Sequence, residues 1–268
     1  MILRRITKHV KDQNWFAVAL DFLIVVVGIL IAFQITSWND GRSARQLESE
    51  YMILLTTDLR TIEGNLSEQL AQEQAIIANA RTAIEAINTR ESGVDPTQIG
   101  QSLISIFGRR TLILDSPTFS EMKSAGRLTL IEDTGLRNRI IAYFDGLVRV
   151  ESILDKNNEF YVEPYSDFLR DTGLGFVALP AEACPSSNVQ SACDSSRLAY
   201  SIFGSEKIHA AEEILGIPAE APLWTTIRSQ VVWRAISARA NAASVEQLLS
   251  DTQALLAELE AQKCSSAA

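Results

Sequence analysis

Apolar residues are distributed along this chain in two different ways. From Trp15 to Trp38, WFAVALDFLIVVVGILIAFQITSW, the sequence is continuously apolar apart from Asp21, Gln34 and the Thr36–Ser37 pair. Beyond it, apolar residues recur three or four apart, the spacing of one face of an α-helix. At ~1.5 Å per residue the first stretch reaches roughly 36 Å, enough to cross a hydrocarbon core of ~30 Å with some tilt. A Trp at each end suits the aromatic belts at the two interfaces. The pattern predicts one transmembrane helix over residues 15–38, preceded by a short segment, 1–14, and followed by a helical domain, 39–268.

In that domain Leu47, Tyr51, Leu54/Leu55, Leu59, Ile62, Leu66 and Leu70 continue into Ile77, Ala80, Ile84 and Ile87. They predict an amphipathic helix from about Ser43 to Arg90, with Gly41 a weak point before it and Glu73 and Gln74 intruding on its apolar side. ESGVDPT stops it, and Asp95 as N-cap with Pro96 at N1 opens a short helix to about Phe107. GRRTLILDS reads as a loop or brief extended run. Thr118 and Glu121 have the spacing of a capping box for a short helix ending near Ala125–Gly126. A long helix is expected from about Thr134 to Arg170 on Leu136, Ile140, Tyr143/Phe144, Leu147, Val150 and Leu154. Pro164 should kink or break it, having no N–H and clashing one turn back.

From Thr172 to Ser201 the composition turns to Gly, Pro, Ser and Cys, which reads as an irregular loop. Residues 205–215, SEKIHAAEEIL, read as a short helix closed by Gly216 and Pro218. Pro222 then opens the last long helix, to about Lys263, on Trp224, Ile227, Val231, Ala235, Ala238, Ala242, Val245, Leu249, Leu256 and Leu259, with a polar step at Thr252. Alternating β runs are absent. Three long helices, each with one stripe to bury, predict an all-α fold: a transmembrane helix followed by an elongated antiparallel helical bundle with coiled-coil-like packing.

Charge sets the orientation. Arg4, Arg5, Lys8 and Lys11 precede the span against a single acid, Asp12, whereas Asn39 to Asp58 hold Arg42 and Arg45 against Asp40, Glu48, Glu50 and Asp58. Cytoplasmic flanks collect Lys and Arg, so the N-terminus is expected inside and the domain exported to the periplasm. A cleaved signal peptide has a shorter apolar region ending in small residues. This run is longer and ends in Gln-Ile-Thr-Ser-Trp, so the span reads as an uncleaved anchor of a bacterial inner membrane. Ile2, Leu3, Ile6 and Val10 fall at helical spacing opposite the four bases. That fits a short helix lying on anionic lipid headgroups; a tail that only sets topology fits as well. The 24 bases and 33 acids of the chain give a net charge of −9. Because residues 1–38 hold four of the bases and two of the acids, the exported part is the more acidic, which argues against nucleic acid as a partner.

Cysteine usage agrees with export. Cys184 and Cys193 bracket the polar loop PSSNVQSA, and bridging them in an oxidising compartment would stabilise by roughly 2–3 kcal/mol in the chain-entropy model. Cys264 is left over. The spacing is wrong for a redox or zinc site, and His9 and His209 join no ligand cluster. Gly173-Leu174-Gly175 lacks the remainder of a phosphate-binding loop, and no nucleophile elbow is present. Arg109–Arg110 could hold an anion or be a surface pair. No cofactor is expected, and the chain reads as a non-enzyme.

NWFAVALDFLIVVVGILIAFQITSWND, residues 14–40, resembles the opening of a family of uncharacterised bacterial single-pass membrane proteins that carry a similar NWFAV…D(F/L)xIVVVG…Q…WN stretch. TFSEMKSAGRLTLIEDTGLRNRIIAYF, residues 118–144, resembles a second block of the same family. The resemblance implies an N-terminal anchor and a helical extracytoplasmic region, and no reaction or ligand.

Within the span, Asp21 shares a helix face with Ala17, Ile24, Gly28 and Ala32. An intramembrane carboxylate costs ~2.5–3.5 kcal/mol at the bilayer centre, and small residues four apart let another helix approach closely. Ala17, Asp21, Gly28 and Ala32 therefore read as a helix–helix seam, for a membrane-protein partner or for self-association. The bland alternative has Asp21 reaching back toward headgroups or Lys11. Two functions are consistent with these features. One is a non-enzymatic, membrane-anchored accessory subunit whose seam and ectodomain dock protein partners. The other is a periplasmic sensor-like bundle holding a small ligand between helices.

Two outcomes are expected from the sequence. A reporter that fluoresces only in the cytoplasm, fused after Ala268, should stay dark; a bright fusion would reverse the orientation. Thiol counting on denatured, non-reduced protein should find one free thiol, Cys264, because Cys184 and Cys193 are bonded. Three free thiols would end that pairing.

Overall fold

The computed structural model of the chain describes residues 15–90, 96–172, 174 and 216–266. Every regular element among them is helical. The longest, α1, runs unbroken from Trp15 to Thr89 over 75 residues. At ~1.5 Å per residue it is about 110 Å long. The expected membrane helix and the amphipathic helix after it are thus one element, and Gly41 does not interrupt it. A single glycine costs ~1 kcal/mol relative to alanine inside a helix, too little to stop propagation into the strong helix formers that follow it, Arg42, Ala44, Arg45, Gln46 and Leu47.

The change of environment along α1 is sharp. Its N-terminal part includes a window of mean hydropathy 2.4 with none of it buried against the rest of the chain. Leu20 to Trp38 lie on the outside of the molecule, Phe22 and Phe33 among the most exposed at 69 % and 70 %. From Tyr51 onward one stripe is buried: Leu55, Leu59, Ile62 and Leu66, then Ile76, Ala80, Ala83 and Ile87. Fully burying each large apolar side chain contributes about 1.5–3 kcal/mol.

That stripe packs chiefly on α6, Pro222–Ser266. Arg60 meets Glu260, Gln253 meets Glu63, Asn241 meets Glu73 and Arg228 meets Asn88. The partner number falls on α6 as it rises on α1, so the two helices run in opposite directions. The remaining helices fill in beside this pair: α2, Pro96–Ser105; α3, Pro117–Ser124; α4, Thr134–Asn157; and α5, Glu163–Thr172. The apolar interior falls into two clusters. The one nearer the N-terminal end of α1 joins Leu55 to Leu66 with Met122, Ile140, Leu147, Val245 and Leu256, and Phe119 stacks on Phe144 with ring centroids 4.2 Å apart. The distal one joins Ile76 to Ile87 with Ile99, Leu103, Tyr165, Leu169, Trp224 and Val231.

Two local expectations are corrected. The N-cap of α3 is Ser116, not Thr118: its Oγ accepts from the Phe119 N–H at 3.0 Å, with Pro117 at the first helical position. Asp58 on α1 overrides the capping box by accepting from the Ser116 hydroxyl at 2.6 Å and the Thr118 N–H at 3.1 Å. Glu121 instead accepts from the Tyr51 hydroxyl at 2.6 Å. The end of α3 is as expected, with Gly126 in the left-handed region at φ 67°.

The second correction concerns the long helix up to Arg170. It is divided before Pro164, by one π turn over Asn158–Val162 between α4 and α5. Proline has no N–H for the carbonyl one turn back, and the wider turn absorbs that lost bond without a full break. The start of α4 is fixed by Asp133, whose Oδ1 accepts from the Leu136 N–H at 3.0 Å. Pro96 opens α2 and Pro222 opens α6 as expected; Asp95 lies outside the described residues.

Candidate functional site

Three features of the structure could carry function: the uncovered N-terminal part of α1, a buried polar layer between the two apolar clusters, and an apolar groove with aromatic surroundings at the distal end.

On α1, Asp21, Gly28 and Ala32 are exposed, and Asp21 has no hydrogen bond or ion pair among the described residues. A Cβ added at Gly28 would meet nothing within 4 Å. The side chain of Ala17 lies outside the described residues, as do the basic residues Arg4, Arg5, Lys8 and Lys11 and the pair Cys184 and Cys193. Residues 205–215, with His209, lie outside them too.

The polar layer is where Glu73 enters the interior. Gln69, Glu73, Arg234, Ser237 and Asn241 are all buried. Gln69 Nε2 donates to Glu73 Oε1 at 2.8 Å, and Asn241 Nδ2 donates to the same oxygen at 3.1 Å. Asn157, at the end of α4, donates to Asn241 Oδ1 at 2.8 Å, which ties the layer to the π turn. Arg234 serves α2: its Nε donates to the Ile106 carbonyl at 3.0 Å and its Nη2 to the Gly108 carbonyl at 2.9 Å. These carbonyls lie just past the end of α2, where a helix leaves acceptors unpaired. Tyr165 works beside it, donating to the Leu103 carbonyl at 2.7 Å.

The charges of the layer come close without closing. Arg234 Nη1 lies 3.9 Å from Glu73 Oε2, and neither atom has a hydrogen-bond partner. Burial raises the Glu73 pKa above its ordinary value, against the pull of Arg234 and of the bonds from Asn241 and Gln69. Burial likewise lowers that of Arg234, with Glu73 opposing. The folded layer therefore holds the Glu73 proton more tightly than the unfolded chain does. Its contribution to stability is full below the ordinary carboxylate range and is lost as the pH rises through the raised folded value. Thr252 is a second buried polar step, sharing a hydrogen bond of 2.9 Å with Tyr143, whose pKa burial pushes up to about 12.

The groove lies between the distal half of α1 and the first half of α6, with a volume of about 570 Å³ and one long side open. Ile77, Ala80 and Ile84 form one wall; Val231, Val232, Ala235 and Ile236 form the other. Arg81 and Arg239 stand on its rim, with Glu85, Asn88 and Thr89 toward its far end. Val232 and Ile236 are about half exposed, as is Trp233 beside them. Trp233 stacks on Tyr161 of the π turn with centroids 5.7 Å apart, and the adjacent Phe160 is 78 % exposed. Apolar surface thus continues around α6 from the groove to the π turn.

Arg109 and Arg110 are surface ion pairs, to Glu163 at 3.3 Å and Glu68 at 2.6 Å. Among the described residues no group of three or more His, Cys, Asp or Glu is placed to hold a metal ion. No family model, curated protein or solved structure matches the chain. Sequence reasoning had placed Glu73 on the apolar side but missed Arg234, which an apolar stripe drawn through Val231 and Ala235 passes over.

The layer generates a prediction. Glu73→Leu should destabilise the full chain in detergent by about 3–5 kcal/mol, the cost of leaving a buried charge uncompensated. In an Arg234→Leu background the same change should cost far less, because the charge it orphans is already gone. Urea unfolding followed by far-ultraviolet circular dichroism measures both. Equal costs in the two backgrounds would show that the residues do not sense each other across 3.9 Å.

Proposed function

We propose that this protein is a non-enzymatic, membrane-anchored accessory subunit that docks protein partners through its span and its helical ectodomain. One observation carries the reading: α1 is a single continuous helix that begins as an uncovered apolar stretch and ends inside a packed core. An apolar helix face that the rest of the chain leaves bare needs lipid or another helix around it. In this reading residues 15–38 cross the inner membrane, the N-terminus is cytoplasmic, and the rest forms an elongated antiparallel bundle in the periplasm. The same arrangement is what membership of the single-pass family that residues 14–40 and 118–144 resemble would imply.

Asp21, Gly28 and Ala32, with Ala17 one turn before them, would form the seam. A carboxylate in a membrane helix that has no partner among the described residues is best served by a neighbouring helix. Anionic headgroups would meet the basic N-terminal segment. A sensor-like bundle with a small ligand is the second reading, and the groove between α1 and α6 is the observation that favours it. The groove is largely open to solvent, whereas drug-sized ligands are mostly enclosed, so docking of a protein is preferred.

The seam is tested by substitution. Gly28→Leu should block close approach, and Asp21→Leu should remove a polar tie while easing insertion. Each should weaken association by ~0.5–2 kcal/mol, and Leu30→Ala, off that face, should matter less. A membrane two-hybrid assay of the isolated span, with complex recovery for the full chain, makes the comparison. Seam variants that associate as well as the parent would leave that face to lipid.

A further inference from the structure

We propose that the groove between α1 and α6 is the docking site for an amphipathic helix of another protein, one carrying acidic residues at the level of Arg81 and Arg239. The inference deepens the reading of the chain as an interaction subunit and rests on it.

Length is the first argument. The α1 wall runs from Ile77 to Thr89, about 18 Å of helix, and the α6 wall from Val231 to Arg239, about 12 Å. A trough of this length between two helices takes two to three turns of a third, anchored by apolar residues at i, i+3, i+4 and i+7. Its walls are partly solvated at present: Ile77, Ile84 and Ala235 are half-buried, and Val232 and Ile236 are exposed. The apolar surface beyond the trough, through Trp233 and Tyr161 to Phe160, would meet the side of such a helix or the body that carries it. Contiguous apolar surface of this kind on a folded domain marks a site of association.

Charge selects the occupant. Several surface arginines hold acids of their own chain: Arg60 holds Glu260, Arg109 Glu163, Arg110 Glu68, Arg139 Glu258, and Arg170 Asp167, whereas exposed Arg42, Arg45 and Arg149 hold none among the described residues. Arg81 and Arg239 make no ion pair among the described residues, although the chain as a whole carries an excess of acids. Glu85, one turn beyond Arg81, is likewise unpaired. The rim therefore presents two cations near one end and one anion toward the other, which suits a helix with acids at the first level and none at the second.

The same charges argue against other occupants. A second copy anchored alongside in the same membrane would be related by a two-fold axis along α1, which brings each copy's Arg81 and Arg239 to the level of the other's, like charge against like. The membrane surface is too far away. Residues 77–89 lie about 60–75 Å along α1 from Trp38, so headgroups do not reach the groove when Trp38 sits at the interface.

The test uses the full chain in lipid nanodiscs and two fluorescent synthetic helices of fourteen residues. Both carry leucine at i, i+3, i+4 and i+7; one has glutamates flanking that stripe and the other has lysines. Fluorescence anisotropy should show the glutamate peptide binding at least tenfold more tightly. Val232→Glu with Ile236→Glu, at positions exposed enough to leave the fold intact, should abolish that binding. Arg81→Glu with Arg239→Glu should reverse the preference toward the lysine peptide, a result that mere unfolding would not give. Equal binding of the two peptides, binding indifferent to these variants, or no binding of either would overturn the proposal. So would a dimer of the parent chain that Val232→Glu dissolves, or uptake of laurate in place of either peptide. Because no seam residue is altered, failure here leaves the seam experiment to judge the broader reading separately.

Discussion

The stripe that α1 turns toward α6, from Tyr51 to Ile87, is the contact on which the other elements depend. A helix of 75 residues has no tertiary structure of its own, and its distal part is held only where apolar side chains leave water against a partner. Opposite running directions let α6 cover that stripe over most of its length. The shorter helices then close the sides: α3 and α4 over the cluster nearer the N-terminal end of α1, α2 and α5 over the distal one. The first three of them, α2, α3 and α4, are also tied to a long helix by polar contacts. Asp58 caps α3, Arg234 takes the carbonyls after α2, and the π turn is reached through Asn157 and Asn241.

A polar layer divides the two clusters at the level of Glu73 and Arg234. Apolar residues in its place would pack with fewer unsatisfied atoms and often with greater stability. What a polar layer provides is discrimination. Shifting α6 by one turn would strand a carboxylate, a guanidinium and two amides among leucines and isoleucines, so the register of α1 against α6 is set there. The incomplete contact between Arg234 Nη1 and Glu73 Oε2 follows from divided duty, since the same guanidinium is drawn toward the carbonyls of Ile106 and Gly108.

The continuity of α1 joins that layer to the apolar stretch at the other end of the molecule. A rigid helix carries orientation along its length in a way that a jointed one does not. Rotation of the N-terminal part about its axis would turn the groove and the aromatic surface of the π turn with it, because both stand on elements packed against the same helix. In the proposed reading, a docking event at the distal end and a helix contact at the proximal end would be connected through this one helix.

Periodicity alone was enough to place the apolar stretch, the helical class and most of the buried stripes. Leu136, Ile140, Phe144 and Leu147 of α4, and Trp224, Ile227, Val231 and Val245 of α6, lie inside as their spacing requires. Those facts are local: they depend on 3.6 residues per turn and on what each side chain does in water. Continuity through Gly41, the cap of α3 and the π turn were decided otherwise. Gly41 was outweighed by the strong helix formers that follow it. Asp58 reached Ser116 across 58 positions and displaced the capping box that Thr118 and Glu121 would have formed. Proline at 164 signalled a break but not the wider turn that spared one. The buried Arg234 and the groove were least legible, for the same reason. A sequence shows which residues share a helix face, whereas whether an arginine meets foreign carbonyls, or an isoleucine is left half-covered beside a neighbouring helix, depends on where other elements come to rest.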